Sequence, residues 1–168
     1  MTKVLITGVS GTGKSTLINE LLSRGYKAID FDTSEWSEWT SYRPIAGIPE
    51  PNEPEKEWVW RTDRIDEFLS QDESDLLFVS GTASNMSEFF QYFDHVVLLS
   101  ASKAVIKKRL ASRTNNGFGK HPEELQAILG HIETVEPLLR KRSTFEINTN
   151  VPVEEVVKSV LGLVESHD

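Results

Sequence analysis

The fold is decided by the stretch Gly8-Val9-Ser10-Gly11-Thr12-Gly13-Lys14-Ser15, which has the form G-x-x-x-x-G-K-[ST]. The run before it, Lys3-Val4-Leu5-Ile6-Thr7, is apolar and rich in β-branched residues, and it predicts a buried strand. Apolar residues at helical spacing follow from Ser15 to Leu22 and stop near Gly25, which predicts a helix. A strand, a glycine-rich turn and a helix in this order let backbone N–H groups surround a phosphate chain. The stretch therefore predicts a site for a nucleoside triphosphate.

Each part of this phosphate-binding loop (the P-loop, residues 8–15) has an expected role. Lys14 is expected to reach the β- and γ-phosphates, and the Ser15 hydroxyl is expected to bind Mg²⁺. Further contacts to the nucleotide are expected from the loop and from the residue after it: Gly8, Ser10, Gly11, Thr12, Gly13 and Thr16.

Composition limits the classes of protein that fit. A length of 168 residues predicts one domain over residues 1–168. A net charge of −8 argues against nucleic acid as a partner, and the absence of cysteine excludes disulfides and cysteine-bound zinc. The first strand begins at the N-terminus, and no apolar run approaches membrane-spanning length. We therefore expect a cytoplasmic protein with no signal peptide and no membrane partner.

Strand-like runs alternate with helical stretches along the chain. After the first strand they cover residues 26–32, 76–80, 95–100 and 144–148. This alternation predicts an α/β fold with a doubly wound, mostly parallel sheet. Ligands of such sheets bind beyond the carboxyl ends of the strands. We therefore expect one crevice at the strand ends, faced by Gly8, Asp30, Asp32, Ser80 and Ser100.

Two segments interrupt the alternation. Residues 43–54 contain four prolines and predict a loop. Residues 115–122 are rich in turn-forming residues, and we interpret the region of about 114–122 as a short mobile lid; an ordinary surface loop is the alternative. Pro137 falls within the helical pattern of residues 123–142 and is expected to kink or divide that helix.

Three classes of nucleotide-binding protein compete for this pattern. A GTPase switch needs an Asn-Lys-x-Asp motif late in the chain, which the sequence lacks. A motor or AAA-type ATPase is expected to be longer and to carry an additional helical domain. The length therefore favours a small-molecule kinase, and three further clusters of residues agree with it.

The first cluster is Asp30-Phe31-Asp32 at the end of the predicted second strand. Side chains two apart on a strand share a face, so both carboxylates should point into the crevice. In a kinase, Asp30 can hold Mg²⁺ through water, and Asp32 can accept the proton of the attacking hydroxyl. A solvated turn after the strand is the alternative.

The second cluster is the basic run of residues 107–113, in which Arg109 and Arg113 share a helical face. Phosphoryl transfer needs cations around the phosphate oxygens, and an arginine plane can stack on adenine. The alternative is a basic helix end that complements the helix dipole.

The third cluster holds all four tryptophans, between positions 36 and 60. Trp58 and Trp60 cannot both face inward on one helix stripe, so at least one is expected to be exposed or in a pocket. The alternatives are a local satellite core and an acceptor site over about residues 33–70. The residues expected to bind the acceptor are Asp32, Trp36, Arg61, Arg64 and Gly81.

The spacing of these motifs resembles the superfamily of shikimate kinases and nucleoside-monophosphate kinases, over essentially the whole chain. The resemblance implies a five-stranded parallel sheet, ATP with Mg²⁺, Lys14 and Ser15 at the phosphates, and Asp30 near the metal. It also implies Asp32 at the acceptor, Arg109 against adenine and Arg113 at the transferred phosphate. By the same analogy the loop Asn148-Thr149-Asn150, after the last strand, lines the adenine site.

The sequence departs from this pattern at two acceptor-binding positions. Shikimate kinases have three glycines after the third strand, where this chain has Ser80-Gly81-Thr82, and an arginine where it has Val135. Nucleoside-monophosphate kinases have an arginine soon after the third strand, and residues 81–90 contain none.

These observations predict an ATP-dependent phosphotransferase that acts on a small-molecule acceptor. The acceptor group is expected to be a hydroxyl, because the charge of Asp32 would repel a phosphate. One alternative is a nucleoside or nucleotide kinase, and another is an ATP-binding regulatory module with slow hydrolysis. We expect a monomer or a weak dimer.

Overall fold

A computed structural model describes residues 2–41, 56–112 and 122–165 of the chain. The central sheet has five parallel strands, in the spatial order β2-β5-β1-β6-β7. Their bounds are β1 Thr2–Thr7, β2 Lys27–Asp30, β5 Leu76–Ser80, β6 His95–Ser100 and β7 Phe145–Asn148. The predicted five-stranded parallel sheet is therefore confirmed.

Helices cover both faces of this sheet. Their bounds are α1 Lys14–Ser23, α2 Thr62–Gln71, α3 Lys103–Ser112, α4 Pro122–Thr134, α5 Glu136–Arg142 and α6 Val153–Glu165, and a 3-10 helix spans Met86–Tyr92. Apolar residues of α1 and α6 pack on one face, and those of α2 and the 3-10 helix pack on the other. Because both faces are covered, β5 and β6 are apolar without alternation. None of the described helices is long and apolar enough to cross a membrane.

Pro137 has the effect that its position predicts. The helical pattern of residues 123–142 is divided between α4 and α5, and Pro137 lies in the first turn of α5. That position suits proline, because its missing N–H has no partner to lose in the first turn of a helix.

A small antiparallel sheet lies between the second and third strands of the main sheet in the chain. It pairs β3 (Ser37–Ser41) with β4 (Lys56–Trp60), and Trp39 lies opposite Trp58. The interpretation of Trp58 and Trp60 on a helix stripe is therefore wrong. On a strand, residues two apart point to the same face, and both indoles point toward the body of the protein.

Several predictions lie outside the described residues. They are the loop of residues 43–54, nearly all of the lid of about 114–122, and Arg113 with its role at the transferred phosphate.

Candidate active site

The P-loop connects the carboxyl end of β1 to the first residue of α1, and two of its glycines are required by its geometry. Gly8 has a φ of 155°, and a Cβ on it would lie 2.6 Å from the carbonyl oxygen of Leu99. Gly13 has a φ of 100°, in the left-handed region that favours glycine. The Thr12 hydroxyl donates to the carbonyl oxygen of Val9 at 2.8 Å and closes the loop on itself. The sequence therefore builds a tight turn between β1 and α1.

The loop forms one wall of a cleft of about 450 Å³. All loop residues from Ser10 to Ser15 line it, and so does Thr16, as expected for a phosphate site. The Lys14 ammonium lies across the loop and donates to the carbonyl oxygens of Gly8 at 2.5 Å and Val9 at 3.1 Å. Gly8 lies behind this wall, against the backbone of Leu99.

Arg109 also lines the cleft, next to the P-loop, and its expected role beside adenine stays a prediction. Its guanidinium donates to the carbonyl oxygen of Gly11 at 3.3 Å, to the Thr149 hydroxyl at 2.9 Å and to the Thr149 carbonyl oxygen. Burial lowers the pKa of Arg109 from its ordinary value. Arg109 thus ties the P-loop to the loop after β7, and its plane borders the space between them.

The loop after β7, which the resemblance assigns to the adenine site, contributes Thr149 to the cleft, and residues 151–156 add three valines that sequence reasoning missed. Thr149, Val151, Val153 and Val156 line the cleft. Asn148, by contrast, accepts a hydrogen bond from the backbone N–H of Asn150, and the Asn150 side chain accepts one from the N–H of Ser102. Asn150 lines only a shallower depression beside the cleft. Scattered valines carry no motif, so no sequence signal pointed to them.

The two carboxylates at the end of β2 lie in the same cleft as the P-loop. The Ser15 hydroxyl donates to Asp30 at 3.3 Å, and Asp30 accepts a second hydrogen bond, at 2.9 Å, from the backbone N–H of Asp32. The placement of both carboxylates at one crevice is as predicted, and the roles assigned to them stay predictions.

Ser15 and Asp30 fit a site for Mg²⁺. They offer two oxygen ligands within hydrogen-bond distance of each other, and Mg²⁺ takes one or two protein oxygens while phosphates and water supply the rest. Within the described ranges, no group of three or more His, Asp or Glu side chains could hold a metal by itself. Ser15 and Asp30 would therefore hold Mg²⁺ only together with ligands from outside the chain.

Asp32 is fixed by two donors from distant parts of the chain. The backbone N–H of Thr82 lies 3.1 Å from each carboxylate oxygen, and the Trp58 indole N–H donates to Oδ1 at 3.2 Å. Burial raises the pKa of Asp32 to about 6; the charge of Lys14 and these two donors oppose the rise, and the charge of Asp30 adds to it. A carboxylate with this pKa can take up a proton near neutral pH.

Gly81 lets Asp32 approach the core. A Cβ on Gly81 would lie 2.9 Å from Cζ2 of Trp60 and 3.2 Å from Oδ1 of Asp32. Gly81 thus lies beside Asp32, and its expected contact with the acceptor stays a prediction. The chain there has no room for a side chain.

Of the other three residues expected at the acceptor, Arg61 and Arg64 contact the segment of residues 34–38, and Trp36 lies within it. Arg61 donates to the carbonyl oxygen of Ser34 and, at 2.8 Å, to Glu38. Arg64 donates to the carbonyl oxygen of Glu35 and lies 5.4 Å from the ring of Trp36. Trp36 itself packs against Phe31 and Phe68. The cleft described above is not lined by these three side chains.

The four tryptophans divide between core and site. Trp36 and Trp60 belong to the apolar cluster beneath the sheet, and Trp60 is 1% exposed. Trp58 contacts Asp32, and Trp39 is 57% exposed, with its ring 5.0 Å from that of Trp58. The alternative of a local core is therefore confirmed for Trp36 and Trp60, and an acceptor-binding role for the other two stays a prediction. Trp58 and Thr82, which hold Asp32, were not among the expected site residues.

Residues 4–128 match the family described as AAA domain. The chain belongs to this family. The match covers the P-loop, both carboxylates and the strands that carry them, and it identifies a P-loop domain. Among curated protein sequences, none matches this chain.

Solved structures with a similar fold include small-molecule kinases. The fold is similar to that of a shikimate kinase from Acinetobacter baumannii in complex with shikimate, with a TM-score of 0.65, 16% identity and coverage of 100% of this chain and 95% of that one. A gluconokinase from Sinorhizobium meliloti 1021 has a TM-score of 0.54, 20% identity and coverage of 96% and 90%. A deoxyadenosine kinase from M. mycoides with bound dATP has a TM-score of 0.57, 14% identity and coverage of 99% and 98%. The resemblance to P-loop small-molecule kinases is therefore confirmed for the fold.

Proposed function

We propose that this member of the AAA domain family is an ATP-dependent phosphotransferase that moves the γ-phosphate of ATP to a hydroxyl group of a small molecule. One observation carries the proposal: Asp32 lies in the same cleft as the P-loop, next to Asp30, and is fixed there by two hydrogen-bond donors. A protein that only binds nucleotide has no use for a second, oriented carboxylate at this place.

The proposed reaction is a direct in-line transfer. The acceptor hydroxyl oxygen attacks the γ-phosphorus, the bond from that phosphorus to the β-γ bridging oxygen breaks, and ADP leaves. Asp32 takes the proton of the hydroxyl. Lys14 stabilises the charge on the phosphate oxygens, with Arg113 proposed to do the same. Ser15 and Asp30 would hold Mg²⁺, which neutralises phosphate charge when it is bound.

A hydroxyl acceptor fits the charges around Asp32 better than a phosphate acceptor does. Two carboxylates, Asp30 and Asp32, border the place where the acceptor must lie. Arg61 and Arg64, the cations from the neighbouring segment, make their hydrogen bonds to residues 34–38. A negatively charged acceptor group would therefore be repelled at this point.

A nucleoside is the second candidate for the acceptor. It is favoured by the exposed ring of Trp39 beside that of Trp58, because an exposed indole offers an apolar ring face to a base or to the face of a sugar. The names of the similar structures include a deoxyadenosine kinase as well as kinases of smaller metabolites.

The test is ATP consumption with Mg²⁺ against a panel of sugars, hydroxy acids, nucleosides and nucleoside monophosphates. We expect one hydroxyl-bearing class to stimulate ADP formation in the parent protein and not in Asp32→Asn. The true acceptor should also change tryptophan fluorescence more than ATP alone does, and Trp58→Phe should reduce that change. Slow hydrolysis that no acceptor stimulates would instead favour an ATP-binding regulatory module.

A further inference from the structure

Thr82 lies between the P-loop and the acceptor carboxylate and is hydrogen-bonded to both. Its hydroxyl donates to the carbonyl oxygen of Gly8 at 2.6 Å, and its backbone N–H lies 3.1 Å from both oxygens of Asp32. Thr82 does not itself line the cleft. It can therefore act on the reaction only through Gly8 and Asp32.

The strand register brings Thr82 to this place. β1 and β5 are parallel neighbours with Ile6 opposite Ser80, so the residues two positions further on, Gly8 and Thr82, lie side by side where the strands end. The Thr7 hydroxyl lies 3.1 Å from the Thr82 hydroxyl. The backbone N–H of Gly8 also donates to the Thr82 hydroxyl oxygen, at 3.4 Å. The orientation of the Thr82 hydroxyl is thus set from both sides.

The carbonyl oxygen of Gly8 is also a partner of Lys14, whose ammonium donates to it at 2.5 Å. Lys14 is the residue expected to move to the β- and γ-phosphates when a triphosphate binds. A nucleotide therefore changes the hydrogen bonding of the same oxygen that Thr82 holds. The three contacts form a continuous path from Lys14 through Gly8 and Thr82 to Asp32.

We propose that Thr82 is a positioning residue that transmits occupancy of the P-loop to Asp32, so that the carboxylate is aligned for the acceptor when a nucleotide is bound. The inference rests on the proposed function. When the ammonium turns to the phosphates, the Thr82 hydroxyl becomes the main donor to Gly8, and the Thr82 amide adjusts with it. Its two equal contacts to Asp32 carry that adjustment to the carboxylate.

Trp58 offers a reporter that needs no acceptor. Its indole N–H bonds directly to Asp32, so its NMR cross-peak in protein labelled with ¹⁵N-tryptophan responds to any movement of that carboxylate. The chain has four tryptophans, and the Trp58 cross-peak is the one missing in Trp58→Phe. The ligand is a non-hydrolysable ATP analogue with Mg²⁺.

The decisive variants are Thr82→Val, which removes the hydroxyl and keeps the shape and the backbone N–H, and Thr82→Ser, which restores the hydroxyl. The nucleotide should shift the Trp58 cross-peak in the parent protein and in Thr82→Ser, and the shift should fall by more than half in Thr82→Val. Affinity for the analogue, measured by calorimetry, should stay within about twofold, since Thr82 does not line the cleft. Turnover in Thr82→Val should fall about tenfold, as for the loss of one hydrogen bond, with the KM for ATP nearly unchanged.

Ser84→Ala is the matched control. It removes a hydroxyl from the same loop, and that hydroxyl bonds to the carbonyl oxygen of Trp58 rather than to Gly8 or Asp32. The control should keep the full shift on nucleotide binding. An unchanged shift in Thr82→Val, or a failure of Thr82→Ser to restore it, overturns the proposal.

Failure of the proposed function has a different signature. If the analogue does not bind the parent protein, the proposed function is wrong. The link from the P-loop through Thr82 to Asp32 is then tested in the protein without ligand. Thr82→Val should move the Trp58 cross-peak without any ligand, and Thr82→Ser should return it to the parent position. If the Trp58 cross-peak of Thr82→Val does not move in the protein without ligand, the proposed link between Thr82 and Asp32 is wrong as well.

Discussion

The two sides of the cleft are built in different ways. The phosphate side comes from one continuous stretch, residues 10–16, and its donors are backbone amides and Lys14. The acceptor side is assembled from Asp32, Trp58 and Thr82, which lie in three separate parts of the chain. Conformation of the phosphate side follows from a turn and a helix end, whereas that of the acceptor side depends on packing between elements. The first side is therefore fixed by local geometry, and the second, which we propose binds the acceptor, is fixed by contacts between distant parts of the chain.

Lys14→Ala gives the largest expected effect on the phosphate side. Loss of the ammonium should reduce phosphate transfer by at least roughly 1,000-fold and weaken ATP binding, as for other cations at a transferred phosphate. The fold should survive, since Lys14 faces the cleft at the start of α1. Turnover, calorimetry with ATP and thermal unfolding measure the three quantities. An unchanged affinity for ATP would show that the loop does not bind phosphate.

Asp32→Asn makes the matching test on the acceptor side. Turnover should fall by about 100-fold with little change in ATP affinity, as for loss of a general base. Asp30→Asn should instead raise the Mg²⁺ concentration needed for half-maximal activity, because Asp30 contacts Ser15. A Mg²⁺ titration of both variants separates the roles. Identical behaviour of the two would contradict the division between metal and acceptor.

The raised pKa of Asp32 predicts how stability depends on pH. Its value is about 6 in the folded protein, against 3.8 for an ordinary aspartate. The folded state therefore holds the proton more tightly, and the contribution of Asp32 to the free energy of unfolding falls as pH rises from about 4 to about 6. Above pH 6, the raised pKa of Asp32 lowers the free energy of unfolding by at most about 3 kcal/mol. Asp32→Asn should lack this cost.

Urea unfolding of parent and Asp32→Asn, without Mg²⁺, at pH 4.5 and 7.5 measures this cost. The variant should gain stability relative to the parent at the higher pH. Asp72 and Glu146 act in the opposite direction, because their pKa values are lowered. Burial raises the pKa of Asp72, but its hydrogen bonds, including one from Lys27, and the charge of Lys27 together outweigh burial; a hydrogen bond from Arg140 lowers the pKa of Glu146 against the effect of burial. They are present in both proteins and cancel in the difference. A difference in stability that does not vary with pH would place the pKa of Asp32 near its ordinary value.

Gly81→Ala gives a smaller effect, confined to the acceptor side. The added methyl group would lie 2.9 Å from Trp60 and 3.2 Å from Asp32, so it should destabilise the protein by about 1–3 kcal/mol and lower turnover. Gly162→Ala in α6 is the control, because nothing lies within 4 Å of a Cβ there. It should stabilise the protein by about 0.5–1 kcal/mol with unchanged turnover. Equal unfolding temperatures for the two variants would contradict the close packing at Gly81.

The sequence predicted the framework well where the signal was local. β5 and β6 have the predicted bounds, because an unbroken apolar run is typical of a strand that is covered on both faces. Pro137 divides the helix as expected. The prediction for the tryptophan segment is wrong, because Trp58 and Trp60 lie on the five-residue strand β4 and not on a helix. A short strand between loops carries too few residues to establish its period.

By itself the sequence determined the P-loop, the parallel sheet and the placement of Asp30 and Asp32 at one strand end. Each of these depends on contacts within a few residues, or on apolar patterns that repeat along the chain. Only the tertiary structure decided which residues hold Asp32, because Trp58 reaches it through the β3–β4 pair and Thr82 through the register of β1 and β5. It also turned Arg61 and Arg64 toward residues 34–38. Side-chain partners that are far apart along the chain follow from strand pairing and packing, which a local sequence pattern does not contain.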